Sequence, residues 1–489
     1  MVSRLIVVSN RVAVPTGGKA AAAGGLAVGV KAALKKQRGI WFGWSGKASD
    51  VPDPEVQTVE RNHITYAVID LASDDFQEYY NGFANRVLWP ILHYRVDLAE
   101  YSRTDLSGYM RVNRIFADRL SKIIGPEDIV WVHDYHLMPM AKELRARGHD
   151  NPIGFFLHVP CPPTDILDTL PRHQDSIGAL SYYDLVGFQT DNDRDNFGHY
   201  LLQQGATANR DNTSFEVQGR TTRIGTFPIG IETAVFARAA RNSARSPFVQ
   251  EIKASLAGRR LIVGVDRLDY SKGLANRVEG FDRFLESDKL AHGQVTLLQI
   301  TPTSRADIQE YAEMQRNVSK LVGEVNGRHG EASWTPIRYI NRSYSRAALG
   351  GVYRIADVAL VTPLRDGMNL VAKEFVAAQD PKDPGVLILS QFAGAASELD
   401  DALLINPHEP DAFPGAIRRA LDMPLEERRE RHARMFERIS AHDIDHWASS
   451  FLAALGDTRK KSGLLTGLRS FFTPRAQSNA VQDGATPPV

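Results

Sequence analysis

Two successive series of short β-branched and aromatic runs, each run followed by a longer stretch of helical pattern, constrain this chain more than any other feature. The first holds Leu5 to Ser9, Ile40 to Gly43, Ile64 to Ile69, Ile129 to His133, Ile153 to His158 and Leu185 to Gln189. The second holds Leu261 to Val265, Val295 to Ile300, Ile337 to Ile340, Val358 to Thr362, Val386 to Ser390 and Leu403 to Asn406. Short apolar runs alternating with helical stretches belong to βα units around buried parallel sheets, so each half is expected to carry about six strands. Between the series, Pro228 to Gly258 contains Pro228, Gly230 and Pro247 and few strand signals, which places the boundary near the midpoint. The fold class is therefore read as α/β, with two doubly wound domains and the cleft between them as the default binding site.

At 489 residues the chain exceeds one ordinary core and fits two or three domains. A hydrophobic content of 43% with 24% charged residues excludes disorder, collagen and coiled coil as global descriptions. Lys plus Arg and Asp plus Glu both number 58, so no long-range field favours phosphate polymers or anionic membranes, and nucleic acid is not an expected partner. The single cysteine, Cys161, can form neither an internal disulfide nor a structural zinc site alone. The apolar run before Asn10 and Arg11 is short for a signal peptide, and Ala20 to Val30 falls well below the roughly 20 residues of a membrane span. These features predict a cytoplasmic protein without stable membrane association. The segment Thr458 to Arg475 has five basic residues and no acidic one. Its Leu464, Leu465, Leu468, Phe471 and Phe472 could line a short amphipathic helix; a disordered terminus is the plainer reading.

Chemistry-bearing residues cluster where strands end. Gly24-Gly25 follows the first strand and opens a helical pattern, where backbone N–H groups can approach a phosphate; the residues fit a flexible Ala/Gly turn as well. Arg267 and Lys272 follow the first strand of the second series, where two cations five residues apart can hold a pyrophosphate or form surface salt bridges. After the strand ending at Thr362, Gly367 and Asn369 suit a tight turn, and Leu370 starts a helix whose free N–H groups can face a phosphate. Asp366 then faces a sugar, and Glu374, one turn in, can accept from ribose hydroxyls. His133-Asp134-Tyr135-His136 and His158 end neighbouring strands. A metal set is one reading, but a strand-end His-Asp-x-His lacks helical i, i+4 spacing, so hydrogen bonding to a polar substrate, with Asp134 accepting and His158 donating, is preferred. Tyr80, Trp89, Arg305 and Arg11 complete the candidates; aromatic faces stack on sugars and Arg matches phosphate, although packing or surface charge also accounts for any one of them.

At Val8-Ser9-Asn10-Arg11, Ala23-Gly24-Gly25-Leu26, Trp41-Phe42-Gly43-Trp44, Val130 to His136, Arg267 to Gly273 and Arg365 to Val371 the chain resembles the trehalose-6-phosphate synthase family, glycosyltransferase family 20, from Ser3 to about Leu455. The resemblance implies a GT-B fold of two Rossmann-like domains. The expected limits are 1–235 for the acceptor-binding domain and 236–440 for the nucleotide-sugar domain. A helix over 441–457 is expected to return to the N-terminal domain, followed by a basic, disordered tail over 458–489. It also implies retaining transfer of glucose from UDP-glucose, or a related nucleoside diphosphate glucose, to glucose 6-phosphate, giving α,α-trehalose 6-phosphate without a metal or other cofactor. By position, Arg11, Tyr80, Trp89, Asp134 and Arg305 would hold the acceptor. Gly25, Arg267 and Lys272 would contact the donor diphosphate, Glu374 the ribose, and backbone groups near Ile340 the base. Asp366 and the segment Gly367, Met368, Asn369, Leu370 and Val371 would hold the donor glucose and diphosphate, and His158 would touch the sugar near the reacting centre. Asp366, His158, Arg267 and Lys272 form the implied catalytic set. Cys161 stands where the family commonly has Phe, which alters packing and removes no catalytic group.

Retention usually calls for a carboxylate nucleophile, and the sequence offers no clear one; the family's favoured answer is same-face attack. The rival readings are a relative with another phosphorylated acceptor, such as glycerol 3-phosphate or a cyclitol phosphate, and a non-catalytic sugar-phosphate sensor. Asp366, Lys272 and Arg267 are all present and favour catalysis. A fused phosphatase would need an Asp-x-Asp-x-Thr loop, whereas Asp443-Ile444-Asp445 runs into His446. Dephosphorylation is therefore expected of a separate protein, and a homo-oligomer, dimer or tetramer, is expected of this one.

Overall fold

The computed structural model describes residues 4–15, 29–31, 33–34, 39–53, 55–303 and 309–460. Gly25, Arg305 and the tail beyond Lys460 lie outside the described residues. All twelve strands read from the sequence form, and they divide between two sheets.

The first sheet contains β1 (Leu5–Arg11), β2 (Ile40–Ser49), β3 (Gln57–Arg61), β4 (Ile64–Ala72), β5 (Ile129–His133), β6 (Ile153–Phe156), β7 (Leu185–Phe188), β8 (Thr207–Ala208), β9 (Ser214–Val217) and β10 (Arg220–Thr226). Their order is β3-β4-β2-β1-β5-β6-β7-β10-β9-β8. The count of six expected for this half is therefore corrected to ten. β3 pairs antiparallel with β4, and β8, β9 and β10 form antiparallel pairs at the opposite edge. β3 and β8 are short and largely exposed, and β9 and β10 bury only single residues, Phe215, Thr222 and Ile224, so none carries the apolar run that marks a central strand. The second sheet is parallel throughout, ordered β13-β12-β11-β14-β15-β16, with β11 (Arg260–Val265), β12 (Val295–Ile300), β13 (Ile337–Ile340), β14 (Val358–Val361), β15 (Val386–Ser390) and β16 (Leu403–Ile405).

Helix starts follow from side chains that satisfy the first free N–H groups: Ser102 accepts from Asp105 N, Thr190 from Asp193 N and Ser345 from Ala348 N. The chain passes between the two units twice. After β10 it runs through Phe227–Glu232 into the helix Thr233–Ser243, whose Phe236 and Ala240 lie against Gly350 of the second unit. It returns through His442 and Asp443 into the helix Ile444–Lys460. Phe451 of that helix would meet a Cβ at Gly154 of β6 or Gly187 of β7 at 2.8 Å, so only bare backbone admits the ring. Trp131 of β5 stacks on Phe451 at 4.7 Å and packs against Trp447 at 4.9 Å. The helix continues to Lys460, three residues past the limit read from the sequence.

A buried ion pair ties the crossings together. Lys373 Nζ donates to the Ile229 carbonyl of the first crossing at 2.8 Å and to Glu398 at 2.5 Å, while Glu398 lies 3.4 Å from His442 of the second crossing. Among the described residues no helix is long and apolar enough to cross a membrane.

Candidate active site

The C-terminal ends of β1, β5 and β6 face those of β11 and β14, which is where open α/β sheets bind ligands. A cavity of about 270 Å³ between them is lined by Asn10, Tyr80, Trp89, His93, Asp134, Tyr135, His136, His158 and Val159 from the first unit. Arg267, Lys272 and Asp366 line it from the second. Eight of the chemistry-bearing residues read from the sequence thus share one cavity: Tyr80, Trp89, Asp134, His136, His158, Arg267, Lys272 and Asp366.

Each wall has a local cause. The register of β1 on β2 slips between Ser9 and Arg11, which turns Asn10 toward the cleft. Tyr79 Oη donates to Asn10 Oδ1 at 2.9 Å, and exposed Arg11 lies 5.8 Å over the Trp44 ring beside the cavity. Tyr80 and Trp89 stand on a continuous helical stretch, Ser73–Leu92, in which Trp89 N donates to the carbonyl of Ala84, five residues back. Such wide turns are frequent at functional sites. Tyr80 stacks on His136 at 5.7 Å and on Phe76 at 5.5 Å, which makes a flat aromatic wall suited to a sugar face. Asp134 has φ +74°, an uncommon conformation outside glycine. Its Oδ1 accepts from Tyr135 N at 3.1 Å and His158 N at 3.3 Å, which joins the ends of β5 and β6.

On the opposite wall the guanidinium of Arg267 lies 5.9 Å over the Trp89 ring, reaching across the cleft. Arg95 over Tyr270 at 5.7 Å and Arg365 over Tyr94 at 4.1 Å bridge the same rim. Lys272 Nζ donates to Asp366 Oδ2 at 2.5 Å, and Asn369 Nδ2 donates to the same oxygen at 3.0 Å. Asn369, at φ +73°, precedes the helix Leu370–Ala378, so the first N–H groups of that helix lie next to the Asp366 turn. Gly367 has a stringent reason to lack a side chain: a Cβ there would stand 2.1 Å from the His158 carbonyl oxygen of the other unit.

Met368, Leu370, Val371, Ile340 and Glu374 do not line this cavity. Glu374 Oε1 accepts from Arg346 Nε at 2.6 Å, and burial raises its carboxyl pKa against that pairing. Ile340 ends β13, with its backbone carbonyl accepting from Thr301 N at 2.8 Å.

Sequence reasoning missed Asn10, His93 and the support beneath Arg267. His93 follows Trp89 by one helical turn, donates from Nδ1 to the Trp89 carbonyl at 2.8 Å, and burial lowers its pKa to about 4. The i, i+4 spacing was visible; the cavity was not. Arg277, fully buried in the apolar stripe of the helix Leu274–Ser287, binds Asp266 at 2.7 Å, Gln299 at 3.0 Å and Thr362 at 3.0 Å. It thereby locks the ends of β11, β12 and β14; an arginine on a buried helical stripe was the available signal.

Among the described residues, His133, His136 and His158 do not bring three ligand atoms within 4.8 Å of one another. Among the described residues the one group with three ligand atoms within 4.8 Å is Asp282, Glu286 and His329. There Arg328 Nη1 already sits 2.5 Å from Asp282 and 3.1 Å from Glu286.

Residues 3–457 match the sequence profile of Glycosyltransferase family 20. A trehalose-6-phosphate synthase of Sinorhizobium fredii is 53% identical over 464 residues, covering 94% of this chain and 100% of the relative. One from Escherichia coli O1:K1 / APEC is 47% identical over 453 residues, covering 93% and 95%. The crystal structure of an α,α-trehalose-phosphate synthase (UDP-forming) from Burkholderia vietnamiensis superposes with a TM-score of 0.92 at 44% identity, covering 95% of this chain and 99% of that one. The Burkholderia xenovorans enzyme in complex with glucose-6-phosphate gives 0.90 at 46% identity, covering 93% and 100%. An E. coli structure bound with UDP-2-fluoro glucose gives 0.88 at 46% identity, covering 93% and 99%. These neighbours share the GT-B architecture of two parallel-sheet units around a cleft, and the chain belongs to glycosyltransferase family 20.

Proposed function

We propose that this protein transfers glucose from UDP-glucose to glucose 6-phosphate, forming α,α-trehalose 6-phosphate with retention at the donor carbon, a step of trehalose biosynthesis. The observation that carries the reading is the cavity itself. It sets Tyr80, Trp89, Asp134 and His158 opposite Arg267, Lys272 and Asp366, in a chain related over nearly its whole length to synthases of that name.

In this reading the N-terminal wall takes the acceptor. Tyr80 and Trp89 offer ring faces, Asp134 accepts from a sugar hydroxyl, and Arg11 with Arg305 meets the 6-phosphate as a planar, multidentate donor. The C-terminal wall takes the donor: Arg267, Lys272 and the N–H groups before Leu370 face the diphosphate, the turn with Gly25 approaches it from the N-terminal side, Asp366 holds the glucose, Glu374 the ribose, and backbone near Ile340 the base. As the bond from glucose C1 to the phosphate oxygen breaks, the C1 hydroxyl of glucose 6-phosphate attacks from the same face. The departing phosphate oxygen takes its proton. Negative charge grows on the diphosphate, and in this reading the two cations with the helix N-terminus stabilise it from positions fixed by the fold, with little reorganisation. Fixed positive charge of this kind supports turnover without a divalent metal. Cytoplasmic location, a homo-oligomer and a separate phosphatase acting on the product complete the proposal.

The test is UDP release by purified protein with UDP-glucose in EDTA, with and without glucose 6-phosphate, with the product linkage identified by NMR. Acceptor-dependent release with an α,α-1,1 linkage is the expected result. Release only after magnesium addition refutes metal independence, and release without an acceptor product refutes the synthase reading.

A further inference from the structure

His133 ends β5, and His158 lies two residues past β6, directly alongside. Their rings meet edge to edge: His133 Nδ1 and His158 Nε2 are 3.1 Å apart, and His158 makes no other ring hydrogen bond among the described residues. His158 lines the cavity, whereas His133 is fully buried behind it. One ring nitrogen of the pair must donate and the other accept, so the proton can sit in two ways. Each choice fixes what His158 Nδ1 presents to the cleft.

The surroundings of the far nitrogen decide between them. His133 Nε2 is buried without a hydrogen-bond partner among the described residues, and so are the indole nitrogens of Trp131 and Trp447. Those two rings flank His133, at centroid distances of 4.5 Å and 6.1 Å. If His158 donated to His133, His133 would carry its proton on Nε2, adding a third unanswered N–H beside two indole N–H groups. If His133 donates, Nε2 is a bare lone pair, and the nearby indole N–H dipoles favour it. Orphaned buried N–H groups are among the rarest features of folded proteins. Burial also holds both imidazoles neutral, His158 with a pKa of about 3 and His133 well below the usual value, so tautomer rather than charge is what the pair sets.

We infer that His133 is a positioning residue: by donating from Nδ1 to His158 Nε2 it fixes His158 as the Nδ1–H tautomer, which presents a hydrogen-bond donor to a hydroxyl oxygen of the donor sugar. The inference rests on the proposed transfer reaction for the sugar but not for the tautomer. It explains why β5 ends in an imidazole inside an otherwise aromatic cluster of Trp131, Phe156 and Trp447, where a phenyl ring would pack as well. The device resembles the general rule that a partner on one ring nitrogen selects the role of the other.

The test uses the full chain labelled with ¹⁵N-histidine. Long-range ¹H–¹⁵N correlation, with His158 assigned by its loss in His158→Gln, is expected to show a protonated Nδ1 and a bare Nε2. In His133→Phe no donor faces Nε2, so His158 loses its single tautomer and becomes a mixture of the Nδ1–H and Nε2–H forms, and kcat falls about tenfold with both KM values within about twofold, the loss of roughly one hydrogen bond in the transition state. His133→Asn, which keeps an N–H donor near the place of Nδ1, restores the tautomer and most of the rate. A wild-type protein with the proton on Nε2 overturns the inference, as does a His133→Phe enzyme with unchanged kcat, or a His133→Asn enzyme no better than His133→Phe. A wild type that makes no trehalose 6-phosphate sinks the proposed function, while the wild-type spectrum still decides the tautomer.

Discussion

The close approach of the two units at Gly367 supplies a sharp perturbation. In Gly367→Ala the new methyl would lie 2.1 Å from the His158 carbonyl oxygen, 2.9 Å from its carbon and 3.0 Å from Val159 Cα. A carbon and a carbonyl oxygen in contact settle at about 3.3 Å or more, so relief needs a displacement of about 1 Å. All three atoms are backbone of the opposite unit, held by β6 and by the Asp134 Oδ1 bond to His158 N, and cannot rotate away. On the near side, Gly367 O is itself covered by Gly394, at a distance no Cβ at Gly394 would tolerate. The strain is therefore relieved by opening the cleft, which draws Asp366 and Lys272 back from His158. A misplacement of about 1 Å is commonly worth about 10²-fold in rate. The assay is the initial rate of acceptor-dependent UDP release, beside a thermal melt. Gly415→Ala, whose Cβ meets nothing within 4 Å, serves as the control and should retain wild-type rate. A Gly367→Ala rate within about twofold of wild type would falsify the claim that this contact sets the working geometry. A rate loss accompanied by collapse of the melting transition would assign the effect to folding instead.

Asp366→Ala should abolish transfer while the protein still folds, and retained activity would remove Asp366 from the reacting centre. Lys272→Ala should lower kcat by about 10²-fold, as loss of an electrostatic donor commonly does; an unchanged rate with altered stability would reduce Lys272 to a structural partner of Asp366. Lys373→Met leaves buried Glu398 with only His442 beside it and should cost about 3–5 kcal/mol in urea unfolding, with Lys373→Met/Glu398→Leu recovering most of it; a single-variant loss under about 1 kcal/mol would contradict the buried-pair argument. His93 has its folded pKa lowered by burial to about 4 from an ordinary value of 6.5. The unfolded chain thus binds the extra proton first, and His93 costs stability as pH falls through that window. Buried Asp193, raised to about 6, gives the opposite slope between about 3.8 and 6, so the comparison is between variants. His93→Gln should lose less stability than wild type between pH 6.5 and 4, and parallel curves would refute the burial argument.

The sequence determined the buried strands and which edge of each sheet carries the polar residues. Runs such as Val295–Ile300 and Val386–Ser390 became central strands as read, because a strand buried on both faces is predominantly apolar. Arg267, Lys272, Asp134 and Asp366 were legible because polar residues just past such runs have one place to go, the carboxyl edge of the sheet. The strands β3, β8, β9 and β10 were not legible, since part-exposed, largely polar strands carry no continuous apolar signature. Only tertiary structure brought Lys272 to Asp366 across 94 residues and Lys373 to the Ile229 carbonyl across 144. It likewise placed the Gly367 backbone against His158 and set Glu374 on Arg346. Periodicity reports which face of a segment is buried; it says nothing of which distant segment buries it. Pairing, close approach and the choice of tautomer depend on that partner, and so belong to the fold rather than to any local run of residues.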